Sequence, residues 1–109
     1  MGQFARGEVV LVKFSFSDLS QSKLGPALVL AEVEYGDLGL CQITSKTYGD
    51  RNAVVLRQGD FKSGSLPLQS YARPGRMITE DPRLISRSLG QLEEWKRREI
   101  VAAITKMIT

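Results

Sequence analysis

Gly7-Glu8-Val9-Val10-Leu11-Val12-Lys13-Phe14, then the polar run Ser15–Leu24, then Gly25-Pro26-Ala27-Leu28-Val29-Leu30: the reading of these residues decides the fold. The first run is rich in valine and bounded by Gly7, the pattern of a mostly buried strand. The polar run holds four serines together with Asp18, Gln21 and Lys23. Ten residues or so is long for a hairpin connection, which usually takes about two to five. Long loops on small rigid scaffolds often carry function; a solvated excursion is the plain alternative. Proline has no N–H for a sheet ladder, so Pro26 is expected at the first position of the second strand.

Working outward, Pro26 to Tyr35 reads as strand and Tyr35-Gly36-Asp37 as turn. Leu38 to Thr44 is then a third strand in a hairpin with the second. Tyr48-Gly49-Asp50-Arg51-Asn52 is a polar turn before a short strand from Ala53 to Leu56, and Gln58 to Leu66 reads as loop. Ser70 to Thr79 is a longer strand interrupted near Arg73-Pro74-Gly75, which makes it an edge strand or a bulged one. Glu80-Asp81-Pro82 closes it, and Leu84 to Leu89 is a further short strand or turn.

From Leu92 to Ile108, the residues Leu92, Trp95, Ile100, Ala103, Ile104 and Met107 recur mostly every three or four positions, as on an amphipathic helix. Glu93 and Glu94 at its start and Lys106 near its end suit the helix dipole. Lys96-Arg97-Arg98 is expected mostly on the outward face, where a charge run is usually just solvated. The economical architecture is mainly β with one helix (α+β). It is a small antiparallel barrel in one domain, residues 1–109, with the C-terminal helix over an open end or face.

Composition narrows the function classes. The chain has 109 residues, 42% hydrophobic and 25% charged, which fits one globular core. The net charge is +3 and the pI about 9.2, permitting a polyanionic partner without demanding one. The basic surplus lies in residues 55–109, with 10 basic and 6 acidic, against 5 and 6 in residues 1–54. There is no histidine, which removes the commonest acid–base group and metal ligand. One cysteine, Cys41, allows neither an internal disulfide nor a cysteine-cluster metal site, and its apolar neighbours suggest packing. Without a signal peptide or spanning apolar run, the sequence reads as cytoplasmic.

Over nearly its whole length the chain resembles the MazF/PemK-type toxins of type II toxin–antitoxin systems. Beyond the opening strands, the likeness is carried by Ile43-Thr44-Ser45-Lys46, by Asp60-Phe61 through Gly64-Ser65-Leu66-Pro67, by Ser70-Tyr71-Ala72-Arg73-Pro74 and by Leu89-Gly90-Gln91-Leu92. The order and spacing of these short motifs make the assignment specific. Gyrase-poisoning relatives of the same fold end in a tryptophan-containing tail, unlike Lys106-Met107-Ile108-Thr109. The resemblance implies a small SH3-like antiparallel barrel of the CcdB/PemK type with a C-terminal helix. It implies a metal-independent endoribonuclease, with no cofactor, that cuts single-stranded mRNA at a short sequence. It also implies a homodimer, a cognate MazE-like antitoxin whose tail blocks the RNA groove, and a loop after the first strand that closes over that groove.

The family's chemistry rests on an arginine before the second-strand proline and a threonine ending the third strand. The threonine maps onto Thr44, but the arginine position is occupied by Gly25. Cutting RNA without metal requires a group that accepts the 2′-hydroxyl proton, donors for the charge gathering on phosphorus, and help for the leaving 5′-oxygen. A guanidinium suits the second task because its fork of donors matches phosphate oxygens. Gly25 supplies none of this, so cleavage is expected to be impaired. Lys23 is a nearby point charge, not an equivalent fork. Natural divergence and deliberate replacement of a lethal residue are both consistent with Gly25.

Further candidates for the RNA path are Ser45 and Ser70, and the cations Lys23, Lys46, Arg51 and Arg73, whose phosphate contacts would make binding salt-dependent. Tyr48 and Phe16 are candidates to stack on bases, with core packing the plainer reading of Phe16. Each of the others also has an ordinary reading, Thr44 and Ser70 as strand residues and the cations as solvated charge. Two other function classes remain open at this point. One is a non-catalytic RNA- or antitoxin-binding module on the same fold. The other is an SH3-like peptide adaptor, disfavoured because the aromatic residues are scattered.

Overall fold

The computed structural model describes residues 4–15, 22–46 and 49–109. One seven-stranded antiparallel sheet curls into a half-open barrel, with strand order β4-β6-β3-β2-β1-β7-β5. The strands are β1 (Glu8–Ser15), β2 (Ser22–Glu32), β3 (Leu38–Thr44), β4 (Val54–Leu56), β5 (Phe61–Gly64), β6 (Ser70–Glu80) and β7 (Ile85–Leu92). The helix α1 (Glu94–Ile108) ends the fold.

The valine-rich opening is explained by burial on both faces. Val9 joins Leu28, Cys41, Ile43, Leu56 and Ile100 in a core on the helix side of the sheet. Its neighbours Val10, Val12 and Phe14 join Ala27, Val29 and Leu40 on the opposite face, where Phe4, Ile78, Leu84 and Ile85 cover them. Successive residues of a strand point to opposite faces, so an unbroken apolar run is what a strand buried on both sides requires.

Several expectations change. The connection after β1 is shorter than the ten residues read from composition. The antiparallel ladder continues through Lys13↔Leu24 and Phe14↔Lys23 to Ser15↔Ser22, because polar residues extend a strand readily once its partner is in register. Phe16 and the loop's remaining residues lie outside the described residues, as does Tyr48. Pro26 sits inside β2, opposite Leu11, not at its start. It is tolerated because the β3 ladder reaches only to Ala27, leaving that flank of β2 beyond β3's pairing.

The segment read as loop after Gln58 instead forms a 3-10 turn, Gln58–Asp60, and then β5, which pairs with β7. At their junction Gly64 and Gly90 face each other so closely that neither position has room for a Cβ. β6 is not an edge: it lies between β4 and β3 over Ser70–Ala72. Its Pro-Gly interruption is a bulge, since Cys41 pairs with Met77 and Ile43 with Ala72, so Arg73 to Arg76 together oppose Gln42.

Leu92 ends β7 and is not part of the helix. On α1 the inward positions include Lys96, Ile100, Ala103 and Ile104, whereas Trp95 is 56% exposed. Lys96 turns inward because its ammonium meets Glu99 Oε1 at 3.0 Å and Asp60 Oδ2 at 3.6 Å. Asp60 is itself buried and accepts from the Arg57 N–H at 2.7 Å, while its carbonyl accepts from the Glu93 N–H at 2.9 Å. This network fixes the first turn of α1 to the β4–β5 connection. Among the described residues no helix is long and apolar enough to cross a membrane.

Candidate nucleic-acid groove

A groove of about 680 Å³ opens where β1, β2, β3 and the β6 bulge meet. Gly25 and Thr44, the two positions singled out for chemistry, both line it. Lys23, Ser45 and Arg73 line it as well. Its lining also includes residues not anticipated as site residues, among them Gln42, Phe14 and Arg76. The signal for Arg76 was present in Pro74-Gly75. A proline–glycine pair inside a strand marks a bulge, and this bulge gathers both arginines opposite the single residue Gln42.

Gly25 pairs with Val12 and lies over the Phe14 ring. A Cβ built there would sit 3.1 Å from Phe14 Cε2 and 3.4 Å from Cδ2, so a larger side chain requires the ring to yield by a few tenths of an ångström. Thr44 ends β3 opposite Tyr71. Its hydroxyl oxygen accepts the Lys46 N–H at 3.2 Å, leaving the hydroxyl hydrogen available as a donor.

Arg73 is positioned through both its side chain and its backbone. Its Nε donates to Asp50 Oδ2 at 3.1 Å, and its carbonyl accepts from the Cys41 thiol at 3.2 Å. Pro74, next along the bulge, is fully buried. Asp50 also accepts the Asn52 N–H at 2.9 Å. That backbone bond, followed by the bond from Arg73, holds the Asp50 carboxyl below the usual carboxylate range. Burial pushes the Cys41 thiol up to about 11, so Cys41 is a packing residue and not a nucleophile. Among the described residues no carboxylate lines the groove; its charged walls are Lys23, Arg73 and Arg76.

The remaining candidates lie elsewhere. Lys46 and Arg51 are exposed and outside the groove lining. Ser70 is buried, donates its hydroxyl to the Leu68 carbonyl at 2.9 Å, and lines a second cavity of about 260 Å³. Among the described residues no cluster of three or more His, Cys, Asp or Glu is placed to hold a metal.

Residues 5–108 match the model of the PemK-like, MazF-like toxins of type II toxin–antitoxin systems. The chain belongs to that family. No curated sequence is significantly similar to it. Solved structures share the fold at low identity. A mycobacterial endoribonuclease in complex with its cognate antitoxin superposes with a TM-score of 0.72 at 16% identity, over 99% of this chain and 95% of that one. MazF from Deinococcus radiodurans gives 0.71 at 19% identity, over 94% of each chain. The Mycobacterium tuberculosis toxin MazF-mt6 gives 0.68 at 16%, over 91% of this chain and 95% of that one. The family's barrel and terminal helix are therefore retained in this chain.

Proposed function

We propose that this protein is the toxin of a type II toxin–antitoxin system, a metal-independent endoribonuclease that cleaves single-stranded mRNA at a specific sequence and is impaired by Gly25. The observation that carries this reading is the convergence of the Thr44 hydroxyl and the guanidinium-bearing residues Arg73 and Arg76 on one groove that also contains Gly25. In the reaction, the RNA 2′-hydroxyl gives its proton to water and attacks its own phosphate. The P–O5′ bond breaks to leave a 2′,3′-cyclic phosphate and a 5′-oxygen that takes up a proton from water. The groove's task is to stabilise the charge that develops on the phosphoryl oxygens. Thr44 donates a hydrogen bond to one of them, and the arginines supply forked donors to others. Lys23 and Ser45 hold the flanking backbone. Lys46 and Arg51 are assigned to the outer RNA path, and Ser70 to the adjoining second cavity.

What the groove lacks is a guanidinium rooted on β2, beside Thr44 and at position 25. A missing preorganised donor of this kind lowers the rate by about 10²–10³. The enzyme is cytoplasmic, acts as a homodimer and is neutralised by a cognate antitoxin, as the antitoxin complex of the mycobacterial relative suggests. Gly25 favours a second reading, a non-catalytic RNA- or antitoxin-binding module on the same barrel. Single-stranded RNA incubated with the chain and with its Gly25→Arg variant in the presence of EDTA separates the two. Cleavage that appears or rises with arginine supports the nuclease. Saturable RNA or antitoxin binding with no cleavage by either protein supports the module.

A further inference from the structure

The second cavity touches the groove but lies largely on the other side of the sheet. Gly25 pairs with Val12, on the face of Phe14, whereas Pro26 pairs with Leu11, whose side chain points to the opposite face. Leu11 in turn pairs with Arg87 on β7, so Pro26, Leu11 and Arg87 form one cross-strand row along the cavity. Leu66, Pro67, Leu68 and Leu89 supply further apolar walls. Pro26 and Ser45 line both the groove and the cavity, so the two spaces meet at the flank of β2 that the β3 ladder does not reach.

The geometry points to this cavity as a pocket for one nucleobase of the RNA, adjacent to the phosphate held in the groove, with Arg87 selecting guanine. The assignment rests on the ribonuclease reading of the groove. A phosphate is a poor occupant, because proline and leucine walls would strip its water without replacing its hydrogen bonds. A base has the opposite needs: two apolar faces and a polar edge, as bases splayed out of single strands present. The Arg87 side chain is exposed and carries no hydrogen bond or ion pair among the described residues, so its fork is open to an incoming edge. The O6/N7 pair of guanine is the edge that a guanidinium matches with two bonds. Ser45, at the junction, is placed to hold the connecting backbone. Continuity with the groove is what makes the occupant RNA and not an unrelated peptide.

The test uses the full chain, unaltered at Gly25, and fluorescein-labelled single-stranded RNA heptamers with one position at a time varied among the four bases. Anisotropy titration is expected to find one position where guanine binds about tenfold or more tighter than the other bases. Arg87→Met, which keeps an apolar stem, is expected to erase that preference while changing affinity for the other three bases by less than about twofold. The proposal is overturned if the preference survives Arg87→Met, or if no position shows one. It is also overturned if Arg87→Met weakens all RNAs equally and lowers the salt slope by about one, the mark of a phosphate contact. Failure of both the chain and its Gly25→Arg variant to bind any RNA instead removes the nuclease reading, and the base pocket falls with it. Amide shifts at Leu66, Leu68 and Leu89 induced by an antitoxin peptide but not by RNA would reassign the cavity to protein docking.

Discussion

Arg73 Nε donates to Asp50 Oδ2 at 3.1 Å, and this bond ties one wall of the groove to the turn that precedes β4. Both side chains are largely shielded, at 18% and 12% exposure, so solvent competes with the pair less than at an open surface. The same arginine's carbonyl is held by Cys41 on the neighbouring strand. The position of the guanidinium in the groove is thus set from two elements before any ligand arrives.

Acid should loosen this arrangement. The Asp50 carboxyl is lowered in the folded protein, chiefly by the Asn52 N–H and then by Arg73. A lowered acid contributes stability that is fully present above its unfolded value near 4 and is lost as pH falls through the folded value. Asp50→Asn is expected to cost about 1 kcal/mol at pH 7, from the weakened charge-assisted bond. It should also flatten the fall in stability below about pH 4. Urea unfolding of both proteins at pH 7 and pH 3 checks this; an unchanged difference between the two pH values would rule it out.

Gly25→Arg should be accepted by the fold. Position 25 has no left-handed backbone angle, and among the described residues the only tight neighbour of an added Cβ is the edge of the Phe14 ring. Expected outcomes are a stability change within about 1 kcal/mol and a rise in RNA cleavage of about 10²–10³-fold. If cleavage instead requires Phe14→Leu in addition, the ring is too firmly packed to yield. Single-turnover rates on a labelled RNA read out each case.

Thr44 should matter only where cleavage occurs. In the Gly25→Arg background, Thr44→Val removes the donor while keeping a β-branched side chain for the end of β3. A fall in rate of about 100-fold with RNA affinity nearly unchanged is expected, and Thr44→Ser should recover much of it. Equal rates for the valine and serine variants would show that the hydroxyl is not used.

Much of this fold was legible in the sequence, and the parts that were not have identifiable causes. β3 was placed at Leu38–Thr44 by its apolar run and flanking turn, and its observed bounds agree. β5 was missed because Phe61–Gly64 has one partly buried residue and three exposed ones; its strand character comes from pairing with β7, not from its own residues. Gly25, Thr44 and Arg73, far apart in the sequence, line one groove. Arg76 was not foreseen as a groove residue because a bulge changes which residues share a location, and alternation alone does not reveal it. The helix stripe was read correctly at Ile100, Ala103 and Ile104. It failed at Trp95 and Lys96, because hydropathy ranks tryptophan as the inward residue and cannot foresee a buried carboxylate partner for lysine.

That partner gives the last prediction. Lys96 is only 4% exposed and its ammonium bridges Glu99 and the buried Asp60, whereas Arg98 two positions on pairs with Glu94 at the surface. Removing the lysine charge leaves Asp60 buried with its Arg57 N–H bond but no cation. Breaking a buried pair from one side costs about 3–5 kcal/mol, with the remaining backbone bond keeping the effect near the low end. Exposed i,i+4 pairs contribute about 0.3–0.5 kcal/mol. Lys96→Met should therefore destabilise the fold by about 3 kcal/mol, and Arg98→Met by less than about 0.5 kcal/mol. Replacing both members, Lys96→Met with Asp60→Asn, should recover part of the loss, because no uncompensated charge then remains buried. Chemical denaturation of the four proteins decides the point. Equal losses for Lys96→Met and Arg98→Met would mean that the Lys96-Arg97-Arg98 run is a solvated surface after all.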